Sequence, residues 1–333
     1  MANGQVVAVV GATGAVGQTT LKLLEERNFP VRDIRLFASA RSLGKKLTFK
    51  GESLPVEVVS TESFKGIDFA FFSAGGSQSK ELAPHAVKAG AVVIDKSSAF
   101  RMDPAVPLVV PEINGAEARK HQGIVSCPNC TTIVTVMPLK PLHEAGKLRR
   151  VVATSFQAVS GAGVGGIEEL RAQAMAWSKG EKLTSKFFQH QIAFNLLPAG
   201  DIGEGGYTGE ETKLIKETRK ILGIPELPVC PTTVRVPVFT THSIAVNAET
   251  ERKVTAAQAR AAFERFPGLR VYDDPAQNKY PMPILVEGQD DCFVGRIRED
   301  ISIANGINFW VVGDQLRKGA ALNGIQIAEF LIN

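Results

Sequence analysis

The chain has 333 residues, enough for two domains of ordinary size, and its 44% hydrophobic, 22% charged composition excludes fibrous, low-complexity and disordered classes. Its 38 basic and 34 acidic residues leave a formal charge of +4 with no concentrated Lys/Arg run, which excludes a surface built to track nucleic acid. No segment reaches the ~18 uninterrupted apolar residues of a membrane span. The opening "MANGQVVAVVGATG" lacks the parts of a signal peptide, so the expected location is the cytoplasm, where the four cysteines need not form disulfides.

In chain order, "VVAVVGATGAVGQTTLKLLEERNF" (6–29) starts as a buried strand, turns on glycines and becomes a helix with Leu21 and Leu24 on one face. "IRLFA" (34–38) reads as a second strand, and a less regular part follows. "GIDFAFFSAGG" (66–76) reads as a third strand, "SQSKELAPHAVKAG" as a helix and "AVVIDKSS" (91–98) as a fourth strand. Strands alternating with helices imply a parallel sheet with right-handed crossovers, over roughly residues 1–126. Beyond about 150 the pattern changes. "RRVVATSFQAVSGAG", "TVRVPVFTTHSIAVNAET" and "INFWVVGDQL" alternate as strands of an antiparallel sheet, with helices at 165–178, 209–222 and 255–266 over one face. This makes an α/β chain with an α+β second domain.

Gly11, Gly14 and Gly17 lie where the first strand meets its helix. Glycine there allows a tight turn and lets backbone N–H groups and the helix dipole meet a pyrophosphate, a Rossmann-type dinucleotide site. The second strand ends in "FASARS", where Ser39, Arg41 and Ser42 stand in place of the carboxylate that reads a ribose diol. Hydroxyls and a guanidinium suit a 2′-phosphate, so NADP is expected, against a plain solvated loop.

"SCPNCTT" (126–132) sets Cys127 and Cys130 close together. Zinc would need further ligands, and Cys230 and Cys292 form no second close pair; His121 and His143 are the remaining candidates, and no metal is expected. A thioredoxin-type disulfide belongs directly after a first strand. Cys130, ahead of Thr131, Thr132 and "IVTVMPL", fits a helix N-terminus whose dipole favours a nucleophilic thiolate. A nucleotide domain with one activated cysteine points to acyl chemistry, a thiolate holding a carbonyl while a hydride moves.

The ordered motifs "GATGAVG", "FASARS", "FSAGGS", "PNCTT", "QAVSGAG", "AFNLLP", "TVRVPVFTTHS" and "VGRIRED" resemble aspartate-semialdehyde dehydrogenase over essentially the whole chain. The resemblance implies a glyceraldehyde-3-phosphate dehydrogenase-like fold. Its NADP-binding domain is expected at 1–126 plus 314–333, and its catalytic and dimerisation domain at 127–313. It also implies NADPH-dependent reduction of L-4-aspartyl phosphate to L-aspartate 4-semialdehyde and phosphate, on the route to lysine, threonine and methionine, by a homodimer or dimer of dimers.

The family's roles fall on Cys130 as nucleophile, His242 as acid/base, Gln157 orienting the carbonyl, and Asn129 on the acyl oxygen or phosphate. Arg235 falls on the substrate α-carboxylate, Glu210 on its amine, and Arg101 and Lys213 on phosphate. Cofactor positions fall on Gly11, Thr13, Gly14, Ala15, Val16, Gly17, Ser39, Arg41, Ser42, Ser73, Ala74 and Gly75. They continue with Ser160, Gly161, Gly163, Asn195 and Gln315. By pattern alone, Arg235 in "TVRVPV" reads as a solvent-facing strand position, and Glu210 and Lys213 as exposed helical charges. The rival enzyme, N-acetyl-γ-glutamyl-phosphate reductase, typically carries an aromatic residue where Thr131 stands, and its acetylated substrate has no free amine for Glu210. A catalytically inactive NADP-binding relative is the other alternative; it could lack any of Cys130, Gln157, Arg235 and His242.

Overall fold

The computed structural model describes residues 4–333; the first three residues of the opening stretch lie outside it. Two compact units divide the chain, one running to Asn129 and taking in Ala320–Asn333, the other Cys130–Gly319.

The first unit contains β1 Gln5–Val10, α1 Ala15–Glu26, β2 Val31–Ala38, β3 Lys46–Phe49, β4 Glu52–Val58, β5 Phe69–Phe72, α2 Gly76–Lys88, β6 Val92–Asp95, the one-turn α3 Pro111–Asn114, β7 Ile124–Ser126 and a C-terminal helix Leu322–Ile332. Its sheet runs β3-β4-β2-β1-β5-β6-β7, and only the β3–β4 pair is antiparallel. Val7 and Val9 of β1 pack with Leu21 and Leu24 of α1 and Ile325 of the C-terminal helix. Val6, Ala8 and Val10 pack instead with Leu82, Ala83 and Ala86 of α2. Both faces of β1 are thus covered, which is why its sequence is a continuous apolar run. The part read as less regular holds the β3–β4 hairpin. Its two-residue turn, Lys50–Gly51, has positive φ at both positions, the primed geometry that follows strand twist.

The second unit contains α4 Cys130–Gly146, β8 Leu148–Gln157, α5 Val164–Ser178, β9 Leu197–Pro198, α6 Gly209–Leu222, β10 Val229–Arg235, β11 His242–Thr250, α7 Ala256–Arg265, β12 Leu269–Val271, the one-turn α8 Pro283–Val286, β13 Cys292–Glu299 and β14 Gly306–Gly313. Its sheet order is β12-β13-β14-β11-β8-β10-β9. The sheet is mixed, not antiparallel as its alternation suggests: β8 pairs β10 and β12 pairs β13 in parallel. Between β8 and β10 the chain passes through α5 and α6, and a crossover of that length brings a strand back in the same direction. The run 233–250, read as one long strand, is two strands on opposite sides of β8, broken at 236–241. The apolar α4 lies against β8, β11 and β14 and against α6 and α7.

Candidate active site

Sheet register assembles the centre of the second unit. Gln157, the last residue of β8, is paired with Arg235, the last of β10, and with His242, the first of β11. Arg235 and His242, seven positions apart in the chain, are separated in the sheet by β8, and Gln157 stands between them. Cys130 is the first residue of α4, and its Sγ lies 3.3 Å from His242 Nε2.

One peptide orients two of these groups. The Ala158 N–H donates to His242 Nδ1 at 3.2 Å, while its carbonyl accepts from Arg235 Nη1 at 2.7 Å. With Nδ1 accepting, the neutral ring carries its proton on Nε2, facing the sulfur. Burial, and then the Arg235 charge, lower the His242 pKa to about 3, so the imidazole is neutral at ordinary pH.

Arg235 is 8% exposed, which rules out the solvent-facing reading. Burial lowers its pKa, with Cys130 and Glu210 opposing. Its one hydrogen bond is to the Ala158 carbonyl, and among the described residues it has no carboxylate partner. A buried guanidinium with unused donors is unfavourable unless an anion completes it. It lines a cleft of about 780 Å³ together with Phe187, Phe188, His190 and Asp201. On α6, Lys213 Nζ bonds Glu210 Oε1 at 2.7 Å, the one-face arrangement expected from their spacing.

The other expected residues are placed as follows. Gln157 is buried and its Nε2 donates to Thr131 Oγ1 at 2.8 Å. Arg101 is buried in the first unit, donating to the carbonyls of Cys127 and Lys96, and Asn129 is buried immediately before Cys130 in the chain. Cys127 is fully buried, and burial raises its thiol pKa, the wrong direction for a nucleophile. His121 and His143 each use Nδ1 to accept a backbone N–H, from Gly123 and Leu148.

At the nucleotide turn Gly11 has φ +88°, and a Cβ there would come within 2.8 Å of the Ser73 carbonyl oxygen. A Cβ on Gly17 would lie 2.3 Å from the Gly11 oxygen. Gly14 caps α1 with no side chain over the N–H groups of Ala15, Val16 and Gly17. Thr13 Oγ1 meets Ser42 Oγ at 3.1 Å, tying the turn to the end of β2, where Ser39 is half-buried and Arg41 exposed. Ser73 Oγ donates to the Val10 carbonyl, Ala74 follows, and Gly75, at φ +93°, caps α2. In the second unit Gln315 Nε2 donates to Ser160 Oγ at 2.5 Å, leaving a buried Oε1 without a partner. Gly163 has φ +88°, and Asn195 is exposed with its amide on the Gln191 carbonyl. A Cβ on Gly161 would come within 2.9 Å of Arg235 Nη1 and 3.0 Å of His242 Cε1. Glycine therefore lets this backbone press against Arg235 and His242. Within the first unit, the bare helix start and the glycine cradle suit the pyrophosphate of a nicotinamide dinucleotide.

Three further residues escaped sequence reasoning. Ala158 acts through its backbone and has no side-chain signal. Thr241, buried before His242, holds φ +66°, a strained conformation for a β-branched residue. Gly319 lies in a π-helical turn, Arg317–Ala321, where a Cβ would come within 3.1 Å of the Cys130 Cβ.

Residues 6–121 match the NAD binding domain of semialdehyde dehydrogenase and residues 139–318 its dimerisation domain. Aspartate-semialdehyde dehydrogenase of Aquifex aeolicus is 53% identical over 99% of this chain and 98% of its own, and that of Bacillus subtilis 49% identical over the same shares. Among solved structures, aspartate semialdehyde dehydrogenase II of Vibrio cholerae, complexed with ASA, matches with TM-score 0.96 and 43% identity over 99% of this chain and 98% of that one. The enzyme of Candida albicans with NADP matches with TM-score 0.76 and 25% identity over 99% and 98%. On these matches and on a cysteine–imidazole pair at the start of α4, the chain belongs to the aspartate-semialdehyde dehydrogenase family.

Proposed function

We propose that the chain reduces L-4-aspartyl phosphate to L-aspartate 4-semialdehyde and phosphate, with NADPH as donor and Cys130 as nucleophile. The observation that carries this is the 3.3 Å approach of Cys130 Sγ to His242 Nε2. The Cys130 thiolate attacks the acyl carbon, the C–O bond to phosphate breaks, and a thioester forms. Bound NADPH supplies the hydride that reduces it. The resulting oxyanion collapses to the aldehyde and returns the Cys130 thiolate, while the reaction's proton leaves on phosphate. His242 offers its Nε2–H first to the sulfur and then to the developing oxyanion, with Asn129 a second donor.

Arg235 holds the α-carboxylate with its unused donors and Glu210 the amine; Arg101 and Lys213 receive the phosphate. Gln157, its amide nitrogen held by Thr131, orients the substrate carbonyl. An aromatic residue at 131 would remove that hydroxyl, which counts against the acetylated substrate. NADP is held by the Gly11–Gly17 turn, by Ser39, Arg41 and Ser42, by Ser73–Gly75, and by Ser160, Gly161, Gly163, Asn195 and Gln315. Trp177 and Phe194, 60% and 63% exposed with ring centroids 4.8 Å apart, support a homodimer or dimer of dimers, because monomers seldom leave such pairs in water.

The test is NADPH formation from aspartate semialdehyde and phosphate, compared with N-acetylglutamate semialdehyde. Preference for the second substrate would overturn the reading.

A further inference from the structure

Between α5 and β9 the chain runs through 179–196 with no regular element, and irregular stretches of that length in compact domains usually carry function. Two side chains one turn apart on α5 hold its middle. Glu169, 7% exposed, accepts the backbone N–H groups of Lys186 and Phe187 on Oε2, at 2.6 and 2.5 Å, and that of Phe188 on Oε1, at 3.1 Å. Gln173, 3% exposed, accepts from Ile192 and Ala193 on Oε1, at 3.0 and 2.9 Å, and donates Nε2 to the Thr184 carbonyl at 3.0 Å. Two glycines at the start of the same helix make room for the segment's rings. A Cβ on Gly165 would meet the Phe187 ring at 2.6 Å, and one on Gly166 the Phe188 ring at 3.1 Å.

Burying a carboxylate is unfavourable, and three backbone N–H groups are the compensation it needs. What those bonds fix is the wall of the cleft. Phe187, Phe188, Gln189 and His190 line the same cleft as Arg235, whereas Glu169 and Gln173 do not reach it. The glycine-rich stretch 160–166 therefore serves two neighbours: Gly161 clears Arg235 and His242, while Gly165 and Gly166 seat the facing segment.

We propose that Glu169 and Gln173 are positioning residues for the amino-acid end of the substrate, clipping 184–193 into place as the wall that holds this end against Arg235. The proposal rests on the reading of Arg235 as the carboxylate anchor. Loosening the clip then weakens capture of the semialdehyde while leaving the Cys130–His242 pair and the phosphate and nucleotide contacts in place.

The test measures kcat and three separate KM values, for aspartate semialdehyde, phosphate and NADP, in Glu169→Ala, Glu169→Gln and Gln173→Ala. Expected for Glu169→Ala is a rise of about ten-fold in the semialdehyde KM, with kcat within about three-fold and the other two KM values within about two-fold. Glu169→Gln keeps an acceptor oxygen and should recover part of the loss. Should Glu169→Ala fail to fold, Gln173→Ala reads the same split from the other end of the segment. An unchanged semialdehyde KM, or a common rise in all three KM values, overturns the proposal. Arg235→Lys, run in parallel, separates it from its premise: an unaltered semialdehyde KM in that variant defeats the anchor reading whatever the α5 variants do.

Discussion

Burial holds the His242 imidazole neutral, with its pKa near 3 against an ordinary value of 6.5. Between those values the unfolded chain binds a proton that the folded chain refuses, so stability rises with pH across this window and is lost as pH falls through it. His242→Asn should therefore flatten the acid side of the stability curve, by roughly 1.4 kcal/mol per pH unit at the steepest. Denaturant unfolding of both proteins between pH 4 and 7 checks this; parallel curves would mean the imidazole is charged in the fold. At Arg235, Arg235→Lys keeps the charge and loses the planar fork, so kcat/KM should fall on the order of tens-fold through lost carboxylate binding. Initial rates over a range of semialdehyde concentrations decide it, and unchanged values would contradict the anchor role. Residue type and motif singled out Cys130 and His242, and the structure brings the two side chains together. The burial of Arg235 was not legible, because alternation within one strand says which residues share a face and leaves open whether that face meets water.

Among the elements, the short 3₁₀ turn Val159–Ala162 that follows β8 brings Gly161 against Arg235 and His242. Gly161→Ala puts a methyl against the ends of Arg235 and His242, which can move aside, so folding should survive while geometry suffers. A loss of about 10- to 100-fold in kcat/KM is expected for displacement of this size, with Tm near that of the parent. Equal kinetics in the two proteins would show that Arg235 and His242 tolerate the shift. In the first unit β1, β2, β5 and β6 were legible as apolar runs, whereas the three-residue β7 is too short to carry such a signal. The β3–β4 hairpin was hidden because Lys50 occupies a turn position where Asn or Asp is the usual signal. The start of α4 was legible at Cys130, whereas Pro138 and Pro141 inside it obscured its length. The parallel pairing of β8 with β10 depends on partners distant in the chain, which local alternation does not encode.

For the molecule as a whole, the proposed choice of NADP rests on the end of β2, which offers Ser39 and Arg41 and no acid. Arg41 is exposed, so Arg41→Ala should weaken NADP by about ten-fold and leave NAD nearly unchanged, the lower end for a charge-assisted contact. Titrations of both cofactors into both proteins, at one salt concentration because exposed charges are screened, would contradict this if the losses were equal.

The central claim is that Cys130 carries the acyl group, and trapping that group tests it most directly. With aspartate semialdehyde and NADP mixed rapidly in the absence of phosphate, the thioester has no acceptor but water. NADPH should then form in a burst approaching one equivalent per active chain, and acid-quenched peptide mapping should find the aspartyl group on Cys130. Cys130→Ala should lack both burst and adduct, while Cys127→Ala keeps them. An adduct on Cys127, or turnover by Cys130→Ala, would contradict the account.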